Sequence, residues 1–476
     1  MKTVVRIARE EWRLLLRDRV AVWGLLLLVL LTLVATLNAY EHQRKANAQQ
    51  AHFQAIANQA FEAQPDRHPH RVVHYGHFVF RPINPLAAFD PGIDSYTGNT
   101  LFLEGHRQNS ANFGDVRQSS LMLRFGQLSP AFVLQVLAPL LLVFVGHALI
   151  ARERELGTLR LLLVQGVAGG QILGGKLLAL SGFAGLMLLP AWLALGWLAL
   201  SGLAPWTAVS LLAVAYACWL LLWALLVVVI SSQFNRARDA LLTLLVAWAI
   251  VVIMLPRWLP DLVSTQLSLP TRFESAIHVE REYRALGDSH NPDDPYFSAF
   301  REKVLKEYGV SRIEDLPVNY KGLVGMEGER ASTALFNRYA DTQFDLQNRQ
   351  NTIVDCFAWL SPTLALRRLS MSAAGTDLEN FQRFLKQGED YRYGLIQGLN
   401  QLQVDELSYA DDTNPNKQNR VSHTHWQSFP EFHFQPAPFA DAFHRVLPAG
   451  LVLLCWVAVL ALLFRLTGAR LGRVAK

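Results

Sequence analysis

The chain has 476 residues, of which 51% are hydrophobic and 17% charged, with 44 Lys and Arg against 39 Asp and Glu. The apolar residues collect in long uncharged blocks, which excludes an ordinary soluble protein. A bilayer core about 30 Å thick needs roughly 20 such residues in a helix, so the blocks indicate membrane spans. The three cysteines are too few and too scattered for a disulfide framework.

Residues 1–19 predict an amphipathic helix that lies in the membrane interface. Val4, Ala8 and Trp12 recur at helical spacing, while Arg6 and Arg9 belong to a separate basic face. The alternative is a basic cluster that only sets the orientation of the first span.

Six apolar blocks predict six transmembrane helices. Pro139 and Pro190 lie inside the second and third blocks, where a membrane helix tolerates a kink. The predicted spans are 20–40, 131–151, 177–200, 206–230, 240–257 and 446–464.

The distribution of charge predicts the orientation. The N-terminal segment, the loops 152–176 and 231–239 and the tail 465–476 together carry 16 basic and 6 acidic residues. Short basic segments stay in the cytoplasm, which places both termini inside a bacterial inner membrane. The basic balance is therefore a topology signal and does not indicate a nucleic-acid partner.

Two long segments then lie in the periplasm, a first insertion at 41–130 and a second insertion at 258–445. The first begins with residues 43–64, predicted to continue span one as a helix. Alternating apolar residues at 71–75 and 77–80 then predict two strands.

The second insertion is predicted to be mainly helical. One helix begins at Pro295 and stops at Gly309, and a longer one covers 327–360. Thr376 and Glu379 have the spacing of a capping box for a third helix. The predicted fold is thus an α-helical polytopic membrane protein with an α+β extracytoplasmic domain built from the two insertions.

The cytoplasmic loop 152–176 is a candidate docking surface. A charged stretch is followed there by a short apolar run between two spans, although a merely solvated loop would have the same composition. The residues proposed to couple to a partner are Glu153, Glu155, Leu156, Gly157, Thr158 and Leu159.

Residues 170–176 match the start of a phosphate-binding P-loop by chance. Leu177 stands where the motif needs a Ser or Thr for magnesium, and a membrane span follows at once. The chain itself is therefore predicted to have no catalytic residues, to bind no cofactor and to hydrolyse no ATP.

Histidines concentrate in the two insertions. The candidate metal ligands are His68, His70, His74 and His77, although surface histidines of an α+β domain are the favoured interpretation. Asp90 and Asp94 flank a Pro-Gly turn and are not predicted to be a catalytic pair. His147, inside span two, is expected to bond to a neighbouring helix.

Taken together, these features resemble the permeases of ABC-2-type transporters. Glu153, Glu155 and Gly157-Thr158-Leu159 fall on the motif that follows span two in that family, and Gly175-Lys176 match the start of its third span. The segments 85–92, 361–362 and 374–377 resemble a subgroup with large extracytoplasmic insertions. Its relatives include permeases linked to nitrous-oxide-reductase maturation and to gliding motility.

The resemblance implies that loop 152–176 forms a coupling helix resting on a separate cytoplasmic ATPase subunit, which binds ATP and Mg²⁺. It also implies a second permease chain, either a copy or a paralogue, and leaves room for a periplasmic protein partner. Two other classes remain as alternatives. They are a membrane-anchored periplasmic sensor or scaffold, and an ion-coupled carrier.

Overall fold

The computed structural model describes residues 2–112, 128–289, 291 and 293–473, most of them helical. The predicted N-terminal helix is confirmed as α1 (Lys2–Arg17). Helix α2 (Arg19–Glu62) follows directly, because the side chain of Asp18 accepts the backbone N–H of Val20 at 2.7 Å and caps its N-terminus. At 1.5 Å per residue α2 is about 66 Å long, so span one does continue well beyond a bilayer core.

Beyond α2, the described part of the first insertion contains a short α-helix, a 3-10 helix at Pro85–Ala88 and a small sheet. Helix α3 (Pro69–Val73) precedes strand β1 (His77–Phe80), which pairs antiparallel with β2 (Thr100–Leu103). The predicted strand at 77–80 is confirmed, but the one at 71–75 is wrong. His68 caps the segment and Pro69 presets its first turn, and both features favour a helix over a strand.

The middle of the chain forms the next elements of the bundle. The elements are α4 (Pro130–Glu155), α5 (Thr158–Val164), α6 (Gly169–Leu200), α7 (Trp206–Gln233) and α8 (Ala237–Gln266). Helix α4 includes a π-helical turn at Val133–Leu137, and α8 includes one at Ala249–Met254.

The second insertion is helical within the described residues, as predicted. The helix from Pro295 to Gly309 is confirmed, with Asp294 as its N-cap and Gly309 in the left-handed region at its C-terminus. The helices are α9 (Arg272–Leu286), α10 (Pro295–Tyr308), α11 (Tyr320–Cys356), α12 (Pro362–Ala374), α13 (Leu378–Glu406) and α14 (Tyr409–Asp412).

Two boundary predictions for this insertion need correction. The long helix starts at Tyr320, seven residues before the predicted start, because Asn319 caps it through the backbone N–H of Lys321. The predicted Thr376–Glu379 capping box is absent from α13. Asp377 caps α13 instead, and the Glu379 carboxylate binds Arg368.

The last helix is α15 (Phe439–Arg473), and the chain is a helical membrane protein. Six helices in the described ranges are long and apolar enough to cross a bilayer: α2, α4, α6, α7, α8 and α15. Helix α7 lies at the centre, where the indoles of Trp219 and Trp223 are fully buried. The apolar parts of α2, α8 and α15 are mostly exposed, as lipid-facing or partner-facing helices would be.

Helix α12 belongs to the second insertion by sequence but packs inside the bundle, against α7 and α15. Ser361 lies just before α12, and Thr363 lies in its first turn. Their hydroxyls donate to the carbonyl of Val251, at 2.6 and 2.9 Å. That carbonyl lies in the π-helical turn of α8. A carbonyl released from a regular helical ladder needs such partners in a membrane.

The two insertions contact one another. Helix α3 and strand β2 pack on α13, and Val421 donates its N–H to the carbonyl of Arg67 at 3.0 Å. Among the described residues, β1 and β2 are the only strands of a sheet, so the β part is smaller than the expected α+β domain would suggest.

Candidate functional site

We call the bundle end formed by α1, loop 152–176 and residues 231–239 the basic end. There α1 lies along the start of α6. Gly175 makes this approach possible, because a Cβ at this position would lie 2.6 Å from Cβ of Ile7. Gly182, about two turns further along α6, likewise leaves room for the indole of Trp12, because a Cβ at this position would lie 2.9 Å from Cζ2 of that indole.

Lys176 is the centre of a buried ion cluster at this end. Its Nζ lies 2.6 Å from Oε1 of Glu11 and 2.6 Å from Oε1 of Glu153. Only 2% of Lys176 is exposed. A buried ammonium needs such partners, so the cluster ties α1, α4 and α6 together. We call Glu11, Lys176 and Glu153 the lysine triad.

The lysine triad changes the interpretation of two predicted features. Glu153 was predicted to couple to a partner, and its carboxylate is held within the chain by Lys176. Residues 170–176, the apparent P-loop start, lie within the first two turns of α6. Their backbone N–H groups are directed along a helix, so they do not form a loop that could surround a phosphate.

The other predicted coupling residues divide into inward and outward positions. Gly157 adopts φ +77° and starts α5, and the hydroxyl of Thr158 donates to the carbonyl of Glu153. Leu159 is buried in the apolar core, which removes it from any docking surface. Glu155 is exposed, and its Oε2 accepts the N–H of Ala237 at 3.2 Å.

An apolar patch remains on this loop, and we call it the α5 patch. Leu156, Leu161 and Val164 are 66%, 63% and 69% exposed, respectively. Of these, only Leu156 was among the predicted coupling residues. The sequence signal for this patch was the run Leu161-Leu162-Leu163-Val164. Placing the run on a helix of 3.6 residues per turn is needed to show which of its side chains point outward.

The opposite end of the bundle contains a buried polar network. The Tyr216 hydroxyl of α7 lies 2.7 Å from Nε2 of Gln135 and 3.0 Å from Oγ of Ser370. Ser370 in turn donates to the carboxylate of Asp90, which also accepts the N–H of Gly92. Burial raises the pKa of Asp90. The network joins both insertions to the spans.

Asp90 and Asp94 are not a catalytic pair in this arrangement. Asp94 binds Arg81 at 3.0 Å, while Asp90 binds Ser370, and the two residues lie in the turn that the sequence predicted. His147 was expected to bond to another helix. Its Nδ1 instead lies 2.8 Å from the carbonyl of Phe144 in its own helix.

The four candidate metal ligands do not form one site. His68 binds Oδ1 of Asp412 at 2.9 Å, across the two insertions. His77 lies beneath Phe61, and burial lowers its pKa to about 4. His70 and His74 do lie together, and the ring of His106 joins them. His106 follows β2 and was not predicted, because no local pattern connects it to α3.

A second ion cluster lies behind these histidines, and we call it the arginine triad. The guanidinium of Arg392 binds Glu389 through Nε and Nη2, at 2.8 and 2.6 Å, and Glu329 through Nη1 at 2.5 Å. It also donates to the hydroxyl of Thr333 and the carbonyl of Glu104. All three charged side chains are at most 5% exposed.

Comparison with protein families gives one match, to a domain of unknown function (DUF3526) at residues 272–435. These residues cover most of the second insertion and none of α2, α4, α6, α7 or α8. No curated protein matches the chain. The matching domain contributes Arg392, Glu389 and Glu329 but not the first insertion that packs on them.

Proposed function

We propose that the chain is the transmembrane subunit of an ABC transporter, with its basic end in the cytoplasm and its insertions in the periplasm. A separate ATPase subunit binds ATP and Mg²⁺ and docks on loop 152–176. A second permease chain, a copy or a paralogue, completes the membrane part. The complex then drives export or acts on a periplasmic partner.

The observation that carries this proposal is the α5 patch. Leu161 and Val164 on α5 and Leu156 in the turn just before it are exposed, beside exposed charged residues, at the basic end. Apolar side chains clustered in this way on a charged surface are typical of a protein-binding site. The lysine triad holds the base of this loop against α1, so movement imposed on α5 would be passed to α1, α4 and α6.

The orientation is supported by the charge distribution. Residues 2–19, 152–176, 231–239 and 465–473 lie at one end of the long helices and carry 15 basic and 6 acidic residues. Such an excess in short segments is the pattern of cytoplasmic loops.

The native Cys356 offers a direct test of orientation, because it lies exposed in the second insertion. With Cys218 and Cys455 replaced by alanine, a membrane-impermeant thiol reagent should label Cys356 in intact spheroplasts. Arg160→Cys, in a background without the three native cysteines, should be labelled only after lysis. The reverse pattern would overturn the orientation.

Docking is tested by replacing Leu156, Leu161 and Val164 together with serine. The chain should still insert in the membrane, but co-purification of its ATPase subunit should fall at least 10-fold, since three apolar side chains would no longer be buried at the interface. Leu203→Ser, an exposed leucine at the opposite end of the bundle, is the matched control. Equal recovery of the ATPase with both variants would remove the docking site.

The purified chain alone should hydrolyse no ATP. ATPase activity that co-elutes with the isolated chain in gel filtration would contradict the proposal that a partner subunit binds and hydrolyses ATP.

A further inference from the structure

Three histidines from two separate segments of the first insertion converge on one point. One ring nitrogen from each of His70, His74 and His106 lies within 4.8 Å of the others. Among the described residues this is the one group of three or more histidine, cysteine or acidic side chains whose ligand atoms come this close together.

His70 and His74 are already at the spacing of two ligands on one ion. They stand four residues apart around α3, and therefore on the same side of that helical turn. Their Nε2 atoms are 3.1 Å apart. Two nitrogens bound to a tetrahedral zinc at about 2.0–2.1 Å would be roughly 3.3 Å apart, so very little movement is needed.

His106 reaches the pair from the turn after β2. Its backbone has φ +63°, the left-handed region, and it is the one residue other than glycine with positive φ in the described part of the chain. Such a conformation costs free energy for a side chain with a Cβ. The turn therefore holds the imidazole towards α3 at some cost to stability.

A buried carboxylate fixes the orientation of His106. Oε2 of Glu329 accepts the backbone N–H of His106 at 3.1 Å and lies 3.5 Å from its Nδ1. Glu329 is fully buried and held by Arg392 and Thr333. A histidine that binds a metal generally has its second ring nitrogen beside a carboxylate or carbonyl, which orients the ring and raises its basicity.

The group of imidazoles opens to the surface on the side of His74. His74 is exposed, and His70 and His106 are half-buried. Three protein ligands with solvent on the remaining side leave a fourth position for water or an exchangeable ligand. The absence of cysteine and methionine from the group favours a borderline divalent ion over a soft monovalent one.

We propose that His70, His74 and His106 form a binding site for a late divalent transition metal, of the Zn²⁺ or Cu²⁺ class, in the first insertion. Glu329 is a positioning residue that acts through His106. The proposal is independent of the transport role, because it rests on residues far from the basic end. His68 and His77 have no part in it.

Zn²⁺ is the probe for the test, with the full chain in detergent micelles and purified through a tag that contains no histidine. Competition with a chromogenic chelator should give one ion per chain. His70→Ala, His74→Ala and His106→Ala should each weaken binding at least 10-fold, and the triple variant should abolish it. Glu329→Gln should weaken it about 10-fold, as expected for a residue that orients a ligand.

His433→Ala is the matched control, since His433 is an exposed histidine of the second insertion, and it should bind as the unaltered chain does. Co²⁺ gives a second measurement, because its visible absorption distinguishes tetrahedral nitrogen ligation from hydrated ion. The spectrum should disappear in the triple variant while the thermal unfolding of that variant without metal is unchanged. Binding of equal strength by the triple variant, or an octahedral spectrum in the unaltered chain, would overturn the site.

Discussion

The lysine triad and the arginine triad place the same charges in two different settings. In each, one cation lies between two glutamates in an interior that excludes most water. Lys176 is a point charge whose partners lie on α1 and at the end of α4, and the side chain of Glu153 is still 25% exposed. The planar guanidinium of Arg392 binds two carboxylates, a hydroxyl and a carbonyl. No charged side chain of the arginine triad is more than 5% exposed.

This difference shows how much structure each cluster holds in place. The arginine triad locks α11, α13 and the turn after β2 into one arrangement, because each donor has a fixed direction and a fixed partner. The lysine triad joins three elements through an ammonium that can rotate and through Glu153, whose side chain is partly exposed. Such a joint suits the end of the bundle that we propose a partner acts on.

The largest expected effect comes from Arg392→Met. The variant keeps most of the side-chain volume but leaves Glu329 and Glu389 as uncompensated buried charges. Removing one partner of such a buried cluster costs about 3–5 kcal/mol. Denaturant unfolding of the full chain in micelles should show the loss, together with faster proteolysis of residues 320–406.

Arg330→Met is the control for that experiment. Arg330 binds Glu327 at 2.6 Å but is 58% exposed, so its loss should cost about 0–1 kcal/mol. Equal destabilisation by the two variants would mean that burial of the arginine triad adds nothing.

Lys176→Met should have the next largest effect and lower the free energy of unfolding by about 2–3 kcal/mol. The loss is smaller than for Arg392→Met because the partly exposed Glu153 can turn towards water. The first sign should be release of α1 from α6. Trypsin should then cut more rapidly after Arg9 and Arg13 in micelles containing the variant. The control variant Lys2→Met, which removes an exposed charge from the same helix, should be cut by trypsin at the original rate. A stable variant with a protected α1 would contradict the role of the lysine triad.

The insertions should also lose stability in acid, through His77. Burial lowers the folded pKa of His77 from 6.5 to about 4, so the unfolded chain binds the proton more readily. The stabilisation is complete above the unfolded pKa of 6.5 and is lost as pH falls towards 4. The loss at pH 5 is about 2 kcal/mol. The melting temperature of the full chain measures it.

His77→Phe should flatten that pH dependence between pH 7 and 5, since phenylalanine cannot take up a proton. Lys176→Met should leave the slope unchanged. A slope that is the same with and without His77 would assign the acid sensitivity to another group.

The smallest expected effect separates two neighbouring glutamates at the basic end. Glu155→Ala removes an exposed carboxylate and should change the free energy of unfolding by about 0–1 kcal/mol. Glu153→Ala should cost more, about 1–2 kcal/mol, because it leaves Lys176 with one partner. Identical values for the two variants would show that Glu153 is as solvated as the sequence suggested.

The six long apolar helices were predictable because the signal for each is local and repeated over about 20 residues. The helix that begins at Pro295 was predictable for a similar reason, since a proline and a glycine mark its two ends. The strand predicted at 71–75 was wrong because an alternation of apolar residues over five positions is too short to outweigh the helix start at His68 and Pro69.

The sequence by itself determined the helical membrane class, the six apolar segments and the concentration of basic residues in the short loops. The tertiary structure decided which charged residues are buried, because the partners of Lys176 lie 165 and 23 positions away along the chain. It also moved the candidate metal site from four neighbouring histidines to His70, His74 and the distant His106. Contacts between remote segments leave no periodic trace in a sequence, since each depends on how whole helices pack.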